Sequence, residues 1–385
     1  MDEDKLSVLL LLDNSAAFDT VDHLILLSRL ETIFGIRSDA LQWFQSYLGE
    51  RTQYVSVDNF TSSQTPLSFG VPQGSVLGPV LFVLYTTPLS SIIKQYAVDH
   101  HLFADDTQLQ QACRPSDINT LTQTFQECTT DIKAWMTQNT LKLNDDKTEA
   151  LIFSGSATQS HSWPSSITIG SSDISFSDSA RNLGFFMDSS LSMKQHVTKV
   201  CRICYYELKR ISSIRKFLSE DATKTLVTSC ILSRLDYCNS LLAGCSDSTL
   251  HPLQKVQNSA ARLIFKAQRR QPCTPLLMKL HWLPVCERVN YKIACICYSI
   301  VSGAAPAYLS DLVTLYTPSR SLRSSSDTRL LQQNRFKCKS HGFCSFSVYG
   351  PQLWNSLPFN IRHSTSVASF KSNLKTYLFK QHYQV

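Results

Sequence analysis

The sequence predicts an α+β fold in which a region of mixed strands and helices precedes a mostly helical one. Three observations predict this. Up to about residue 188, short apolar or alternating runs of strand length are interleaved with helical patterns. Beyond that residue, apolar positions recur at steps of three and four, which is typical of amphipathic helices. The length of 385 residues exceeds the usual size of one hydrophobic core, so two or three subdomains are expected.

The start of the chain alternates between strand and helix patterns. Residues 6–12 are a continuous apolar run that ends at Asp13, which predicts a buried strand with an acid at its end. Residues 18–36 have helical spacing, and residues 38–63 predict a helix followed by an alternating strand, "QYVSV". In "FGVPQGSVLGPVLFVLYTTPL", a Pro-Gln-Gly-Ser turn opens an apolar helix.

The segment "HLFADDTQL", residues 101–109, places Asp105 and Asp106 directly after a short apolar run. An isolated Asp-Asp pair is most often only a turn, because Asp is a common turn former. An amphipathic helix is predicted from Asp117 to Met136. Its apolar positions are Ile118, Leu121, Phe125, Cys128, Ile132 and Trp135. "LKLNDDKTEALIF" then predicts a loop that leads into a strand, and further short strands extend to about residue 188.

Two basic amphipathic helices are predicted in the second half of the chain. The first, residues 194–216, carries seven Lys or Arg residues against one acid, Glu207. Its apolar face comprises Val197, Cys201, Cys204, Leu208 and Ile211. The second covers about residues 249–270, and most such basic faces are simply solvated. The Ser/Arg-rich residues 317–330 are predicted to be a linker.

The composition is that of a globular protein, with 43% hydrophobic and 17% charged residues. The net charge of +7 favours a polyanionic partner. The acidic start and its short apolar run do not form a signal peptide, so the 13 cysteines are expected to be reduced thiols. We therefore expect an intracellular protein, nuclear or cytoplasmic, and not a secreted one. The longest apolar stretches fall short of a membrane span, so no membrane partner is expected.

Two cysteine spacings are close to those of metal sites. Cys201-x-x-Cys204 lies one turn apart on a predicted helix without a partner pair, so core packing is favoured. Cys338-x-x-His341-x-x-Cys344 lacks a convincing fourth ligand, which makes zinc the minority interpretation there.

If the strands that carry Asp13 and the Asp105–Asp106 pair are neighbours, three carboxylates converge. Two carboxylates about 4 Å apart repel by roughly 4 kcal/mol at an effective dielectric constant of about 20. Such a cluster therefore needs a cation or a proton. A few carboxylate ligands, with the remaining positions left to water and phosphate, suit Mg²⁺. A pair of such ions supports an in-line displacement, which is the chemistry of nucleotidyl transfer.

Five ordered segments make this interpretation specific. "LLLLDNSAAFDTVDH", "GVPQGSVLGPVLFVLY", "HLFADDTQL", "LKLNDDKTEALIF" and "SARNLGFFMDSSLSM" resemble, in order and spacing, the palm motifs of reverse transcriptases of non-LTR (LINE-type) retrotransposons. The later segments "LHWLPVCERVNYKI", "APAYLSDLV" and "GPQLWNSLPFNIR" resemble the carboxy-terminal region of vertebrate members of that group. The resemblance thus covers nearly the whole chain.

The resemblance implies roles for residues of the palm motifs. Asp13, Asp105 and Asp106 match the metal-binding aspartates, which hold two Mg²⁺ ions, with Mn²⁺ as an alternative. Phe18 matches the aromatic residue that stacks under the sugar of the incoming nucleotide and excludes a 2′-hydroxyl group. Gln73 and Gly74 match the motif that lines the nucleotide pocket. Lys147 matches the lysine placed near the pyrophosphate leaving group, where a cation stabilises developing charge.

The resemblance also implies an architecture and partners. It implies an antiparallel palm sheet with packed helices in residues 1–188, a helical thumb and connection in residues 189–316, and a carboxy-terminal region in residues 317–385. The "LGFFMD" strand resembles the primer grip. The first basic helix then fits a thumb that follows a duplex backbone through phosphate contacts. Its predicted nucleic-acid-binding residues are Lys199, Arg202, Lys209 and Arg210. The implied partners are an RNA template, a DNA primer and dNTPs.

The chain departs from the family pattern in two respects. No fingers region or endonuclease domain precedes the first motif, and the loss of several phosphate contacts predicts weak nucleotide binding by the chain alone. Asn14 also occupies a position that is usually apolar in the family.

Three other function classes are open to this sequence. A non-catalytic remnant would retain only nucleic-acid binding through the basic helices. An RNA-dependent RNA polymerase is disfavoured by Phe18 and by Ala104, where a Gly-Asp-Asp motif has glycine. A purely structural protein would leave the three acids and the Gln-Gly turn unexplained.

Overall fold

The computed structural model describes residues 5–15, 17–154, 163–170, 172–317, 329–334 and 342–385. The chain divides into two compact units, a first unit that extends to Asn182 and a second unit from Leu183 to Val385. The first unit mixes strands and helices, and the second is mostly helical. The α+β fold class predicted from the sequence is therefore confirmed.

The first unit contains eleven strands and five helices among its described residues. The strands are β1 (Leu6–Ser15), β2 (Thr52–Gln53), β3 (Ser56–Val57), β4 (Phe60–Thr61), β5 (Thr65–Pro66), β6 (Asp99–Phe103), β7 (Asp106–Cys113), β8 (Lys142–Phe153), β9 (Ser166–Ile169), β10 (Ser172–Ser175) and β11 (Ser179–Asn182). The helices are α1 (His23–Thr32), α2 (Ser38–Leu48), α3 (Leu77–Thr86), α4 (Pro88–Lys94) and α5 (Ile118–Gln138).

A four-stranded antiparallel sheet in the order β6-β7-β1-β8 forms the centre of the first unit. Strand β1 is largely apolar from Leu6 to Leu12 because it lies inside this sheet and has buried residues on both of its faces. Leu6, Val8 and Leu10 are completely buried, and Leu9 between them is only 6% exposed. The hydrophobic pattern therefore places β1, the strand that carries Asp13, inside the sheet.

Helix α5 confirms the amphipathic pattern of its sequence. The predicted apolar residues Ile118, Leu121, Phe125, Cys128 and Ile132 are all buried in the core of the first unit. Among the described residues, one stretch, Leu77–Lys94, is long and apolar enough to cross a membrane by length and composition. That stretch comprises α3 and α4 and contributes buried residues to the same core, as a core helix of a soluble protein also does.

Three details of the first unit differ from the sequence prediction. Asp13 lies inside β1 and not after its end, because β1 continues pairing with β8 as far as Ser15. "QYVSV" is not one strand, since Tyr54 and Val55 are exposed and separate two small ribbons, β2–β5 and β3–β4. The segment predicted as a loop before a strand is itself strand from Lys142 onward.

The second unit contains one short strand and ten helices among its described residues. They are β12 (Phe185–Asp188), α6 (Lys194–Ile214), α7 (Glu220–Val227), α8 (Ser233–Asp236), α9 (Asp247–Phe265), α10 (Thr274–Lys279), α11 (Val285–Val301), α12 (Ala307–Ser310), α13 (Phe346–Ser356), α14 (Phe359–Arg362) and α15 (Val367–Tyr383). A π-helical stretch, Thr228–Leu232, joins α7 to α8.

The buried face of α6 is the one that its sequence predicts. Val197, Cys201, Cys204, Leu208 and Ile211 all lie in the core of the second unit. Burial raises the pKa of the Cys201 thiol to about 11 and that of Cys204 to about 12, so both are protonated core residues, as predicted.

Other sequence predictions lie partly outside the described residues. These are Cys338 and His341 of the second cysteine spacing, and most of the predicted linker 317–330. The predicted domain boundary at residue 316 stays a prediction.

Candidate active site

A tight hairpin places the two adjacent acids. Strands β6 and β7 pair from Asp99 opposite Gln110 to Phe103 opposite Asp106, so Ala104 and Asp105 form the two-residue turn between them. Ala104 has a φ of +52°, in the left-handed region that favours glycine. Asp105 therefore lies in a turn, as an isolated Asp-Asp pair predicts, and Asp106 begins β7. Both acids lie at the end of the central sheet.

Strand pairing brings Asp13 to the same end of the sheet. Leu12 of β1 is opposite Thr107 of β7, so Asp13 follows immediately beside Asp106 in the register. Asn14 fixes this arrangement, since its side-chain amide donates a hydrogen bond of 2.8 Å to the backbone carbonyl of Asp105. Sequence analysis identified Asn14 only as a departure from the family. Its partner is 91 residues away, so no local signal reveals the contact.

The charges of the three acids act on one another. Burial raises the pKa of the Asp106 carboxyl group, and the charges of Asp105 and then Asp13 raise it further. These residues, Asp13, Asp105 and Asp106, are called the acidic cluster below. A cluster of this kind favours either a proton or a cation at neutral pH, as the sequence predicts.

Lys147 reaches the acidic cluster because strand β8 is irregular. Leu11 of β1 pairs with Glu149, but Asp13 pairs with Asn144, so β8 has extra residues between these two positions. Lys147 lies in this irregular stretch and its Nζ is 3.1 Å from Asp13 Oδ2. The Lys147 side chain is 67% exposed, which leaves it free to exchange this partner for another anion.

The three predicted nucleotide-binding residues line one cavity. Phe18, Gln73 and Gly74 border a cavity of about 220 Å³, together with Pro72, Gly78 and Pro79. The Phe18 ring packs against Phe82 of α3, with ring centroids 5.0 Å apart. Gly74 has a φ of +77°, and a Cβ atom there would meet nothing within 4 Å, so this side of the turn is open.

Hydrogen bonds join the two segments that form this cavity. The N–H group of Val71 donates to the carbonyl of Phe18 at 2.8 Å, and that of Gly70 donates to the carbonyl of Val21 at 2.7 Å. The amide of Gln73 donates to Asp19 Oδ1 at 2.8 Å. Asp19 therefore positions Gln73, a contact across 54 residues that the sequence analysis missed. In the sequence, the one nearby feature that points to this contact is the position of Asp19 directly after Phe18.

The predicted nucleic-acid-binding residues lie on the second unit. Lys199, Arg202, Lys209 and Arg210 are all exposed along α6, opposite its buried face, and are called the α6 basic face below. Lys199 Nζ lies 3.5 Å from the ring centroid of Phe186, and Arg210 forms a 3.3 Å ion pair with Glu207. Half of this face is thus already engaged in local contacts, which hold two of its side chains in place.

The residues at the end of the central sheet fit divalent metal ions. The acidic cluster offers only carboxylate oxygens, which hard divalent cations prefer. Besides burial, repulsion among the three carboxylates raises the pKa of Asp106, and such ions would relieve this repulsion. A cavity of about 220 Å³ in the same unit is bordered by the three predicted nucleotide-binding residues. Together, the antiparallel sheet, the acidic cluster and the cavity define a nucleotidyl-transfer domain of the palm type.

Comparison with known proteins specifies the family. The model for "Reverse transcriptase (RNA-dependent DNA polymerase)" matches residues 1–187. The RNA-directed DNA polymerase from mobile element jockey of Drosophila melanogaster is 29% identical over 206 residues, which cover 52% of this chain and 22% of that protein. The probable RNA-directed DNA polymerase from transposon BS of the same species is 28% identical over 264 residues, which cover 66% of this chain and 28% of that protein.

Among solved structures, telomerase from Candida albicans in complex with a fragment of telomeric RNA is similar with a TM-score of 0.33. The two are 12% identical, and the match covers 71% of this chain and 49% of the telomerase.

Residues 1–187 match a reverse transcriptase domain, and the chain is similar to the RNA-directed DNA polymerases of the mobile elements jockey, BS and X-element. The match spans less than a third of the length of these relatives. Reverse transcriptase domains use divalent metal ions in general.

Proposed function

We propose that this protein is an RNA-directed DNA polymerase that extends a DNA primer on an RNA template with dNTPs and two Mg²⁺ ions, with Mn²⁺ as an alternative. One observation carries the proposal. The chain brings Asp13, Asp105 and Asp106 together at the end of one sheet, and Lys147 bonds to the first of them. We further propose that it acts inside the cell, in the nucleus or the cytoplasm, where RNA templates and dNTPs are found.

The acidic cluster would hold the metal ions. Bound there, the ions activate the primer 3′-hydroxyl group and stabilise the leaving pyrophosphate. Asn14 holds the Asp105 turn in place, so the carboxylates keep their positions when the sheet end is exposed to solvent. Lys147 is an exposed amine that pairs with Asp13, and we assign it to the negative charge that develops on the pyrophosphate.

The cavity beside Phe18 would receive the incoming nucleotide. The Phe18 ring is fixed by its contact with Phe82, so it would form a rigid wall against the sugar and exclude a 2′-hydroxyl group. Gln73 would contact the nucleotide or its template base through its carbonyl oxygen or its second amide N–H group, because Asp19 accepts only one of the two N–H groups.

Primer extension tests this proposal. Purified protein is incubated with an RNA template, an annealed DNA primer, dNTPs and Mg²⁺. We expect extension, and we expect the Asp105→Asn/Asp106→Asn double variant to lose it by roughly a thousandfold or more, because it cannot hold the ions. Asp178→Asn, which removes an exposed acid of the same unit, is the matched control and should retain activity.

The α6 basic face supports a second candidate function, nucleic-acid binding without chemistry. Circular dichroism and a duplex-binding assay accompany the extension assay and separate the two functions. A folded wild-type protein that binds the template–primer duplex but does not extend it in Mg²⁺ or Mn²⁺ would contradict the polymerase proposal and support the binding function.

A further inference from the structure

Three side chains with metal-ligand chemistry meet in the second unit. Cys286 and Glu287 lie in the first turn of α11, and His382 lies in the last turn of α15. Their ligand atoms, a thiol sulfur, a carboxylate oxygen and an imidazole nitrogen, all lie within 4.8 Å of one another. The three residues therefore form a mixed sulfur, oxygen and nitrogen donor set contributed by two helices.

The spacing of the donors suits a bridging ion better than direct contact. Glu287 Oε1 and His382 Nδ1 are 3.8 Å apart, too far for a hydrogen bond. Two ligands that are each about 2.1 Å from one tetrahedral zinc ion are roughly 3.4 Å apart. Small rotations of partly exposed side chains are enough to bring these atoms to that separation, since Glu287 is 21% and His382 is 37% exposed.

A neighbouring side chain orients Glu287, and a second contact anchors the end of α15, which carries His382. Asn290 donates a 3.2 Å hydrogen bond to the other carboxylate oxygen of Glu287, and Tyr349 in turn donates a 2.7 Å bond to Asn290. On the other side, the Tyr383 hydroxyl donates a 3.0 Å bond to the carbonyl of Trp282, just before α11. Outer contacts of this kind hold the ligands of many metal sites in place.

The local charge also favours a cation. The Cys286 thiol is half-buried, and the carboxylates of Glu287 and Asp247 lie near it. A bound divalent ion would offset these negative charges and stabilise the thiolate.

We propose that Cys286, Glu287 and His382 bind one Zn²⁺ ion that joins α15 to the start of α11, with water in the fourth position. A thiolate and an imidazole select zinc over magnesium, so this site differs in chemistry from the acidic cluster. Binding releases the thiol proton of Cys286 to solvent and requires no change of oxidation state.

Cobalt substitution tests the site without any polymerase assay. The metal-free full chain is titrated with Co²⁺, and a thiolate-to-cobalt charge-transfer band is expected to saturate at one equivalent and to disappear when Zn²⁺ is added. The band should be absent in Cys286→Ser and retained in Cys295→Ser, a half-buried cysteine of the same helix that serves as the matched control. Asn290→Ala should weaken Co²⁺ binding by roughly tenfold or more, because it leaves Glu287 unoriented.

Two results would overturn the site. They are a wild-type titration without a charge-transfer band, and a band that survives in folded Cys286→Ser protein. Circular dichroism of each variant establishes that it is folded. Because the readout depends on metal binding alone, the outcome does not depend on whether the protein extends primers.

Discussion

The ionised carboxylate of Asp106, which a metal site needs, is disfavoured by its surroundings in the folded protein. Burial and two neighbouring carboxylates raise its pKa, so its ionised form is disfavoured in the folded protein without metal. In the unfolded chain these neighbours are dispersed. Ionised Asp106 therefore destabilises the metal-free fold at neutral pH, and a bound divalent ion would reverse this effect.

We predict that Asp106→Asn stabilises the metal-free protein at pH 7 by about 1 kcal/mol or less, after allowance for solvent screening. A raised folded-state pKa costs stability as the pH rises through it, so the advantage of the variant should be largest at neutral pH. It should vanish below the ordinary value of 3.8, where Asp106 is protonated in both states. Urea unfolding in EDTA at several pH values measures this difference, and an equal advantage at all pH values would contradict it.

The sequence predicted the chemistry of single residues better than their contacts. The ordered motifs were enough to identify Asp13, Asp105 and Asp106 as a group, because strand ends and adjacent acids are local features. Asn14 and Asp19 were missed, since each acquires its role from a partner far along the chain. Such contacts depend on strand register and turn geometry, which a residue pattern does not specify.

At the scale of elements, Arg29 holds α1 against α3 and the end of α5. It projects from α1 and donates hydrogen bonds to the carbonyl of Tyr85 on α3 and to the Asn139 side chain after α5. Its guanidinium group also lies 4.6 Å from the ring centroid of Tyr85 and 5.2 Å from that of Trp135. Planar guanidinium geometry permits these contacts at the same time.

We predict that Arg29→Lys lowers the free energy of unfolding by about 2–3 kcal/mol. A lysine cannot make both hydrogen bonds and both ring contacts, so it leaves partly buried acceptors unpaired. Chemical denaturation monitored by circular dichroism measures the loss. Arg37→Lys, at an exposed position of the same unit, should change stability by no more than about 0.5 kcal/mol. Equal effects of the two substitutions would show that Arg29 does not hold the helices together.

The elements that the sequence predicted correctly are those with long, regular hydrophobic periods. The patterns of α5 and α6 each span 21 residues, which is enough to define a buried face. The small ribbons β2–β5 and β3–β4 escaped prediction because two-residue strands have no period to detect. The irregular part of β8 was not predicted, because it arises only when β8 pairs with β1. Lys147 lies in this part of the strand, close to Asp13.

At the scale of the whole molecule, chemistry and charge are assigned to different units. The first unit contains the acidic cluster and the cavity beside Phe18, whereas the second presents the α6 basic face. The net charge of +7 describes the whole chain and does not indicate where on it a polyanion binds. The position of four exposed cations on one face of one helix is more informative, because cations on one surface can contact the same polyanion together.

We predict that replacing Lys199, Arg202, Lys209 and Arg210 together by Gln weakens duplex binding and makes it less sensitive to salt. Each lost phosphate contact lowers the slope of log K against log salt concentration by about 0.9, so the slope should become shallower by roughly 3 to 4. Fluorescence anisotropy with a labelled RNA–DNA duplex at several salt concentrations measures the slope. Gln at Lys224, Lys371, Lys375 and Lys380, exposed lysines elsewhere on the second unit, removes the same net charge and should leave the slope nearly unchanged. If both variants lose the same amount of slope, the second unit attracts nucleic acid through its net charge and the α6 basic face is not the binding surface.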